Sequence, residues 1–545
     1  MAAPPPSDRP DAGQTLEGLK RPELTIPQDK KLPVKIEEPT RPPLQVESGM
    51  QIPVTSFRIT GQQLIAEEKL QALIADGNGK ALTLSEIESL AAKITGYFKE
   101  HGYIMARAYV PVQRIENGVV ELSVIPGRYD KIIIRKKAKI DSRMVSLQLG
   151  NVRTGAYIEK SALERAIWLV GDLSGVEAKA TLEPGSSPGT SNLILDILPK
   201  GTPISGNVSY DNYGNRFTGK NEYALSMLAG NPFQQGDQLS LYGITTGSGV
   251  TSGSIDYQHP LIAPGGKIDV NYSRMQYTLG DDYANLNAGG TADILGVSYS
   301  QNVIRSRRTN LYWMLGYYRK ALEDKVDTTL TNKTSNQIVV GLNGNAQDEI
   351  GGGGAYSWSL TYSTGMLNIN SPAADSTDSQ TAQTAGGFGK YNLNMLRQQR
   401  ITDRLSLLLS FNGQLATKNL DSSEKMSLGG AYGVRAYPKG EASGDDGWLA
   451  SAELYWLLPT NFSKSGILKL STFIDAGSVN INHSPWPGAG SVNTRALQGY
   501  GVGLNWIDPG NYSIKLNYAW KLGNEMALSD TDVNGRLWIQ VTKYF

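Results

Sequence analysis

The sequence contains no cysteine. That excludes a scaffold held by disulfides and any chemistry that needs a thiol or a cysteine-bound metal. It has only three histidines, at positions 101, 259 and 483. They fall in a helix end, a strand and a loop, without the spacing of a metal-ligand set. Charged residues make up 19% of the chain, and 52 Lys plus Arg face 51 Asp plus Glu. A balanced surface gives nucleic acid no reason to bind. No apolar run reaches the roughly 18 residues of a membrane-spanning helix. The opening segment MAAPPPSDRP lacks the basic and apolar stretches of a signal peptide, and reads as a mature sequence with an added Met. The Gly351–Gly354 run is followed by no helix, so it reads as a hairpin turn rather than a phosphate cradle. No catalytic constellation, cofactor site or metal site is expected.

What the chain does have is glycine and tyrosine, 60 and 27 residues respectively. Together with the low charge they point to many strands, many turns and a sizeable aromatic surface. With 545 residues the chain is too long for one ordinary domain. Residues 1–50 are rich in proline, and PPPSDRP and EEPTRPPLQ cannot lie inside a helix or sheet. Between them, Asp11–Leu19 has the makings of one short helix with Asp11 as N-cap. A disordered tail is the alternative at this point.

Residues 51–127 read as strand, helix, helix, strand, strand. Leu84, Ile87, Leu90, Ile94 and Phe98 recur at helical spacing, and 106–115 with 118–127 read as a hairpin turned at Glu116–Asn117. Residues 128–202 repeat the order, with Leu163, Ile167 and Val170 on one helix face. Two copies of a βααββ unit in tandem suggest a repeated module; a generic small α+β fold is the alternative.

From about residue 203 to the end no convincing helix is found. Strand-like segments of 9–15 residues follow one another, separated by Gly, Asn, Asp and Ser. In 310–317, Leu311, Trp313, Leu315 and Tyr317 alternate with Asn310, Tyr312, Met314 and Gly316. The same period of two runs through 405–415 and 513–521. This is the pattern of a membrane barrel with lipid outside and water inside. The segments exceed the roughly 5–6 residues of sandwich strands and suit tilted membrane strands of about 9–11 residues. Sixteen segments are counted, with fourteen or eighteen as alternatives. An even number returns both barrel ends to the side of the preceding units.

Two clusters stand out. The long connection 417–446 is dense in glycine and carries Val434, Arg435, Ala436, Tyr437 and Pro438 at its centre. Loops of this length are usually functional or disordered. The strand segment Phe473-Ile474-Asp475-Ala476-Gly477 alternates so that Phe473 and Asp475 face the lumen. A lumen carboxylate is able to receive a guanidinium in a bidentate pair, and Arg435 on an in-folded loop would supply it. From the residues alone, the alternative is that Asp475 is one of many wetted lumen carboxylates and Arg435 an exposed loop residue.

The segment SLGGAYGVRAYPKGEASGDDGWLASAELYW (427–456), with FIDAG (473–477), resembles the signature of two-partner secretion transporters, the TpsB family. These belong to the BamA-like outer-membrane assembly superfamily. The βααββ order of the two units is similar to the polypeptide-transport-associated (POTRA) domain. The resemblance runs from about residue 50 to 545. It implies a transmembrane β-barrel of 16 antiparallel strands (203–545), preceded by POTRA domain 1 (51–127) and POTRA domain 2 (128–202).

Further implications are a plug helix in 1–20 carrying Asp11, Leu16 and Leu19, and a Pro-rich linker, 21–50. A linker of 30 residues would reach up to roughly 100 Å when stretched. The resemblance also pairs Arg435 of the Val434–Tyr437 tetrad with Asp475 of the Phe473, Asp475, Gly477 motif. The third tetrad position, usually glycine, is Ala436, which would be strained if the backbone there needed φ > 0. The final Phe545, after Leu537, Ile539 and Val541, resembles a barrel insertion signal, with Lys543 as a departure.

The implied function is export of an unfolded TpsA-type exoprotein across a Gram-negative outer membrane, with the POTRA domains in the periplasm and no enzyme activity. Implied partners are that exoprotein, outer-membrane lipid and lipopolysaccharide, and the barrel assembly machinery during biogenesis; the expected state is a monomer. The competing readings are an assembly factor of BamA type and a solute porin.

Overall fold

The computed structural model describes residues 9–22, 24–27, 34–36, 50–261, 263–459 and 466–545. Most of the 21–50 stretch expected as linker lies outside these residues.

The chain starts with helix α1 (Ala12–Leu19) and a short strand β1 (Val34–Ile36). The first α+β unit follows: β2 (Gln51–Val54), β3 (Ser56–Thr60), α2 (Glu67–Ile74), β4 (Lys80–Thr83), α3 (Leu84–Glu100), β5 (Arg107–Tyr109) and β6 (Val119–Ile125). Helix α3 begins on a capping box between Thr83 and Glu86, which satisfies two otherwise orphaned N–H groups. Its apolar stripe of Ile87, Leu90, Ile94 and Phe98 is buried against Phe57, Val120 and Leu122.

Two features depart from the sequence reading. The short strands β2 and β4 pair with each other beside the main sheet. The expected arm 106–115 is reduced to three residues. Pro111 has no N–H to donate to a ladder, and beyond it the Gln113 side chain stands in for backbone. Gln113 accepts from the Glu121 N–H at 2.7 Å and donates to the Glu121 carbonyl at 2.9 Å.

The second unit comprises β7 (Arg128–Lys136), α4 (Ser142–Gln148), α5 (Lys160–Gly171), β8 (Val176–Pro184) and β9 (Thr190–Pro199). Its sheet runs in the order β1-β8-β9-β7, so the N-terminal β1 forms one edge. This unit is fixed to the end of the barrel next to it, called the near end here. Arg305 forms a bidentate pair with Asp172 at 2.6 Å, and Arg165 donates to the carbonyls of Asn302 and Val303.

Sixteen strands then close an antiparallel barrel. They begin with β10 (Ile204–Asp211), β11 (Glu222–Gly230), β12 (Gln238–Thr245), β13 (Val250–Pro260) and β14 (Gly266–Thr278). They continue with β15 (Gly289–Arg305), β16 (Thr309–Val326), β17 (Thr329–Asp348), β18 (Gly354–Ile369), β19 (Gly386–Arg400) and β20 (Leu405–Ala416). Within the long loop, β21 (Met426–Ser427) pairs with β22 (Ser443–Gly444). The barrel ends with β23 (Asp446–Leu457), β24 (Ile467–Asn480), β25 (Thr494–Asp508), β26 (Tyr512–Lys521) and β27 (Gly535–Tyr544).

The alternation sets which face is which. Trp313, Leu315 and Tyr317 of β16 are exposed, as are Ile338, Val340 and Leu342 of β17, while Lys320, Ser335, Gln337 and Asn343 are buried inside. The strands β15–β17 are the longest of the barrel, at 17, 18 and 20 residues. Between β18 and β19 there is a helix, α6 (Pro372–Gln380), where none was expected. Its sequence PAADSTDSQ has no apolar face, so no periodicity could announce it; Ser371 leads into a Pro at its start.

Closure joins Asn207–Asp211 of β10 to Gln540–Tyr544 of β27, a shorter run than at any other neighbouring pair. Beyond it, Gly206 and Phe545 exchange both backbone hydrogen bonds at 3.0 Å.

Candidate functional site

The loop between β20 and β23 enters at the far end and folds into the lumen. It is braced on itself. The Val434 N–H donates to the Leu428 carbonyl at 2.7 Å, and Gly430 N–H to the Tyr437 carbonyl at 3.1 Å. Its base is tied to the wall by ion pairs: Glu424 with Lys320 at 2.6 Å and Lys390 at 2.9 Å, and Asp421 with Lys333 at 2.7 Å. Higher up, Glu441 receives Arg495 at 2.9 Å and the backbone N–H groups of Leu528 and Ser529.

The tip presents Arg435 to β24. Its Nε and Nη2 each donate to Asp475 at 2.9 Å, and its backbone N–H adds a third bond at 3.1 Å. A second carboxylate, Glu453 on β23, accepts from Nη1 at 2.8 Å. Ser451 donates to Asp475 at 2.7 Å, and the guanidinium lies 3.3 Å from the centre of the Phe473 ring. Asp475 is fully buried and Arg435 is 5% exposed. Burial alone would pull the Arg435 pKa down; the hydrogen bonds and charges of Asp475 and Glu453 outweigh it and raise it above the ordinary guanidinium value. The fork geometry fixes direction as well as charge, and removing one partner would strand a buried charge at a cost of about 3–5 kcal/mol.

Strand parity explains how the site is assembled. Ser451 and Glu453 share the inward face of β23, Phe473 and Asp475 that of β24, and Ser451 is the register partner of Asp475. The neighbouring β25 is built so that the loop can approach. A Cβ on Gly499 would meet the Ala436 Cβ at 2.5 Å, and one on Gly501 would overlap the Phe473 ring. Ala436 has no positive φ. The alanine that replaces the usual glycine is therefore unstrained, and its methyl group sits where β25 offers none. Tyr437 is buried, with its hydroxyl donating to the Glu525 carbonyl at 3.1 Å.

Helix α1 lies against the same loop. Asp11 caps it, accepting from the Gln14 N–H at 2.8 Å and from Ser422 Oγ at 2.7 Å. The Ala12 N–H donates to Asp324 of β16 at 2.7 Å. Leu16 and Leu19 pack with Ala12 on Phe217, Met275, Tyr277 and Leu322 near the far end. From there the chain descends. The Arg21 guanidinium sits 5.7 Å from the Tyr242 ring centre, the Thr25 carbonyl accepts from Ser357 at 2.7 Å, and the Pro27 carbonyl accepts from Gln347 at 3.1 Å. Gln347 and Ser357 stand at the near end. Leu19 and Pro27 are eight residues apart, about 26 Å when extended, close to the roughly 25 Å height of a barrel's apolar band. A cavity of about 470 Å³ opens where this segment leaves, beside Ile26, Pro27 and Tyr455.

A sixteen-stranded barrel with an in-folded Arg loop and a threaded N-terminus can be set beside known proteins. A family model described as haemolysin secretion/activation protein ShlB/FhaC/HecB matches residues 189–506. The chain belongs to this family. A model of the ShlB-type POTRA domain matches residues 52–127. Among curated relatives, the heme/hemopexin transporter protein HuxB of Haemophilus influenzae is 28% identical over 508 residues, covering 92% of this chain and 88% of the relative. The outer membrane transporter CdiB of Dickeya dadantii is 25% identical over 426 residues, covering 76% and 74%. Among solved structures, CdiB from Escherichia coli aligns with a TM-score of 0.74 at 20% identity, covering 93% of each chain. BamA from Haemophilus ducreyi lacking POTRA domains 1–3 aligns at 0.53 and 14% identity, covering 90% of this chain and 100% of that one; this likeness is one of fold. The protein is an outer-membrane transporter of two-partner secretion, with its POTRA region in the periplasm. The near end is thus periplasmic and the far end extracellular.

The structure brings Val434, Arg435, Ala436 and Tyr437 together with Phe473 and Asp475. Gly477 stands one pair further along β24, where a Cβ would crowd Leu428. Phe545 is apart from this site, 55% exposed at the periplasmic rim. Lys543, the departure from an apolar ending, reaches Asn511 with its ammonium at 2.8 Å in the turn before β26; a long cation at a membrane rim keeps its head in water this way. Sequence reading missed Glu453, Gly499 and Trp538. The parity that places Phe473 and Asp475 inward would have found Glu453 two residues from Ser451. A tryptophan at 538 between outward Leu537 and Ile539 was the other available sign.

Proposed function

We propose that this transporter captures an unfolded TpsA-type exoprotein, an adhesin or hemolysin, with its two periplasmic units and passes it as an extended chain through the barrel lumen. The observation that carries this is the threaded N-terminus: residues 12–22 and 24–27 already run the height of the lumen, held by the loop, Asp324, Ser357 and Gln347. A lumen that holds one strand of polypeptide beside the docked loop has the bore an exported chain needs. In this reading α1 is a plug that withdraws, Asp11, Leu16 and Leu19 are its seat, and the Arg435–Asp475–Glu453 lock keeps the loop against the wall while the exoprotein passes. Folding of the exoprotein outside biases the direction.

The division into plug 1–20, linker 21–50, POTRA units 51–127 and 128–202, and barrel 203–545 belongs to the same proposal. So does a barrel that works as a monomer without catalysis, cofactor or metal. Its apolar belt contacts lipid and lipopolysaccharide, and Phe545 is read by the barrel assembly machinery.

The test is secretion. A strain lacking this protein is complemented with the wild type, and the TpsA-type exoprotein of the same strain is assayed in the medium. Export restored by the wild type supports the reading; an exoprotein that reaches the medium equally well without this protein refutes it.

A further inference from the structure

Three extracellular connections meet above the seam between β10 and β27. The one after β10 brings Asn212, Arg216 and Lys220, and the one before β27 brings Asp530. With Lys439 of the in-folded loop and Arg536 of β27 they line a cavity of about 390 Å³. Asn212 extends the seam with its side chain, which donates to the Leu537 carbonyl at 2.9 Å and accepts from the Ile539 N–H at 2.8 Å. The cavity therefore straddles the two closing strands.

Its lining is cationic. Arg216, Lys220, Lys439 and Arg536 stand there against one carboxylate, Asp530. Asp530 serves two of them, Lys220 at 3.2 Å and Arg536 at 3.1 Å. Lys439 is paired with Glu222 at 2.6 Å, and Arg216 with Asp281 and Asp282, from outside the lining. The Nε atoms of Arg216 and Arg536 are buried with no hydrogen-bond partner among the described residues. Buried donors are nearly always paired in folded proteins, so both guanidinium groups keep capacity for an acceptor.

Aromatic side chains set the height of the cavity relative to the bilayer. Tyr210 and Tyr223 are exposed on the lipid face, with ring centres 5.4 Å apart. The Tyr210 hydroxyl donates at 3.0 Å to Asn221, which lines the cavity, as does the exposed Leu537. Tyrosines of a membrane barrel gather at the level of the lipid headgroups. The cavity lies at that level on the extracellular side.

We infer that this cavity binds a phosphate group, supplied by the headgroup of lipopolysaccharide in the outer leaflet. This deepens the proposed contact with lipopolysaccharide and rests on it. Guanidinium forks and ammonium point charges are the usual partners of phosphate. A phosphate in the cavity joins Arg216 and Lys220, which follow β10, to Arg536 of β27. Each cation already has a carboxylate, so the phosphate competes for them, and removing Asp530 should strengthen its hold.

The full-length protein in a non-ionic detergent is titrated with lipopolysaccharide and with the same lipopolysaccharide dephosphorylated by phosphatase. The phosphorylated form is expected to bind about ten-fold more tightly. The preference should vanish when Lys220→Gln is combined with Arg536→Gln. Asp530→Asn should bind the phosphorylated form about ten-fold more tightly than the wild type does. A gain in affinity cannot come from misfolding, and the mobility shift on heating in detergent gels reports barrel closure for each variant.

Equal binding of the two forms removes this site and leaves the contact of the apolar belt with lipopolysaccharide; binding of neither removes both. A preference that persists in the closed double variant, or no gain in Asp530→Asn, also overturns the inference. Inorganic phosphate is the further probe. If it displaces lipopolysaccharide at equal concentration, the cavity takes free phosphate and the lipid assignment is overturned. Binding is read without export, so these outcomes are independent of the secretion test.

Discussion

The indole Nε1 of Trp538 donates to the backbone carbonyl of Arg435 at 2.7 Å. Trp538 belongs to β27, the last strand, so the loop tip is held by the strand that closes the barrel. On the other side of the closure, Tyr213 meets both Trp538 and the loop's Tyr432 edge-to-face, and Lys439 reaches Glu222 of β11 at 2.6 Å. The loop therefore bridges the short β10–β27 seam from inside while Arg435 ties it to β23 and β24.

Replacing Trp538 with Phe keeps the ring and removes the donor. The Arg435 carbonyl then lacks its partner, at a cost of about 1–3 kcal/mol. The barrel should still assemble, with its usual mobility shift on heating in detergent gels, but the loop should become protease-sensitive and export should fall. An unchanged protease pattern would mean that this bond holds nothing.

Asp475 and Glu453 are unequal partners. Asp475 takes three bonds from Arg435 and Glu453 takes one. Asp475→Asn is expected to reduce export more than Glu453→Gln, with a loss toward the upper part of the roughly 3–5 kcal/mol typical of a broken buried pair. Because both act on one guanidinium, the double variant should lose less than the sum of the two. Export assays and thermal unfolding of the three proteins decide this; strict additivity would show that the two carboxylates act independently.

Gly499 and Ala436 form a complementary contact. Gly499→Ala should push the loop tip away from the wall and reduce export. Adding Ala436→Gly, which restores the usual glycine of the tetrad, should recover most of it. A double variant as impaired as Gly499→Ala alone would show that the clash lies elsewhere.

Gly13 of α1 packs on the loop so closely that a Cβ would overlap Ser422 and Ser423. Gly13→Val should dislodge the helix and raise single-channel conductance in planar bilayers. Conductance equal to wild type would mean that α1 is not seated by this contact.

Much of this architecture was legible in the sequence. Period-two alternation, as in Leu311 to Tyr317, needs no partner to be visible, because lipid and lumen impose it on each strand separately. Asp11 was readable as a cap because its role is local. The site was legible only in part. Arg435 and Asp475 came from motif resemblance, whereas Glu453 and Trp538 depend on which strands neighbour the loop tip, a relation between segments 18 and 103 residues away from Arg435. Helix α6 and the side-chain stand-in at Gln113 left no periodic trace. Strand β1 was hidden for another reason: three residues in a proline-rich stretch carry no pattern, and only the β8 edge makes them a strand.

The most direct test of the export path is photo-cross-linking of an exoprotein stalled in transit. A photoreactive residue is placed at Ser357, which holds Thr25 inside the lumen, and in a second protein at Ile338, on the lipid face. The expected result is a cross-link to the stalled exoprotein from position 357 and none from 338. Cross-links from 338 but not from 357 would contradict passage through the lumen.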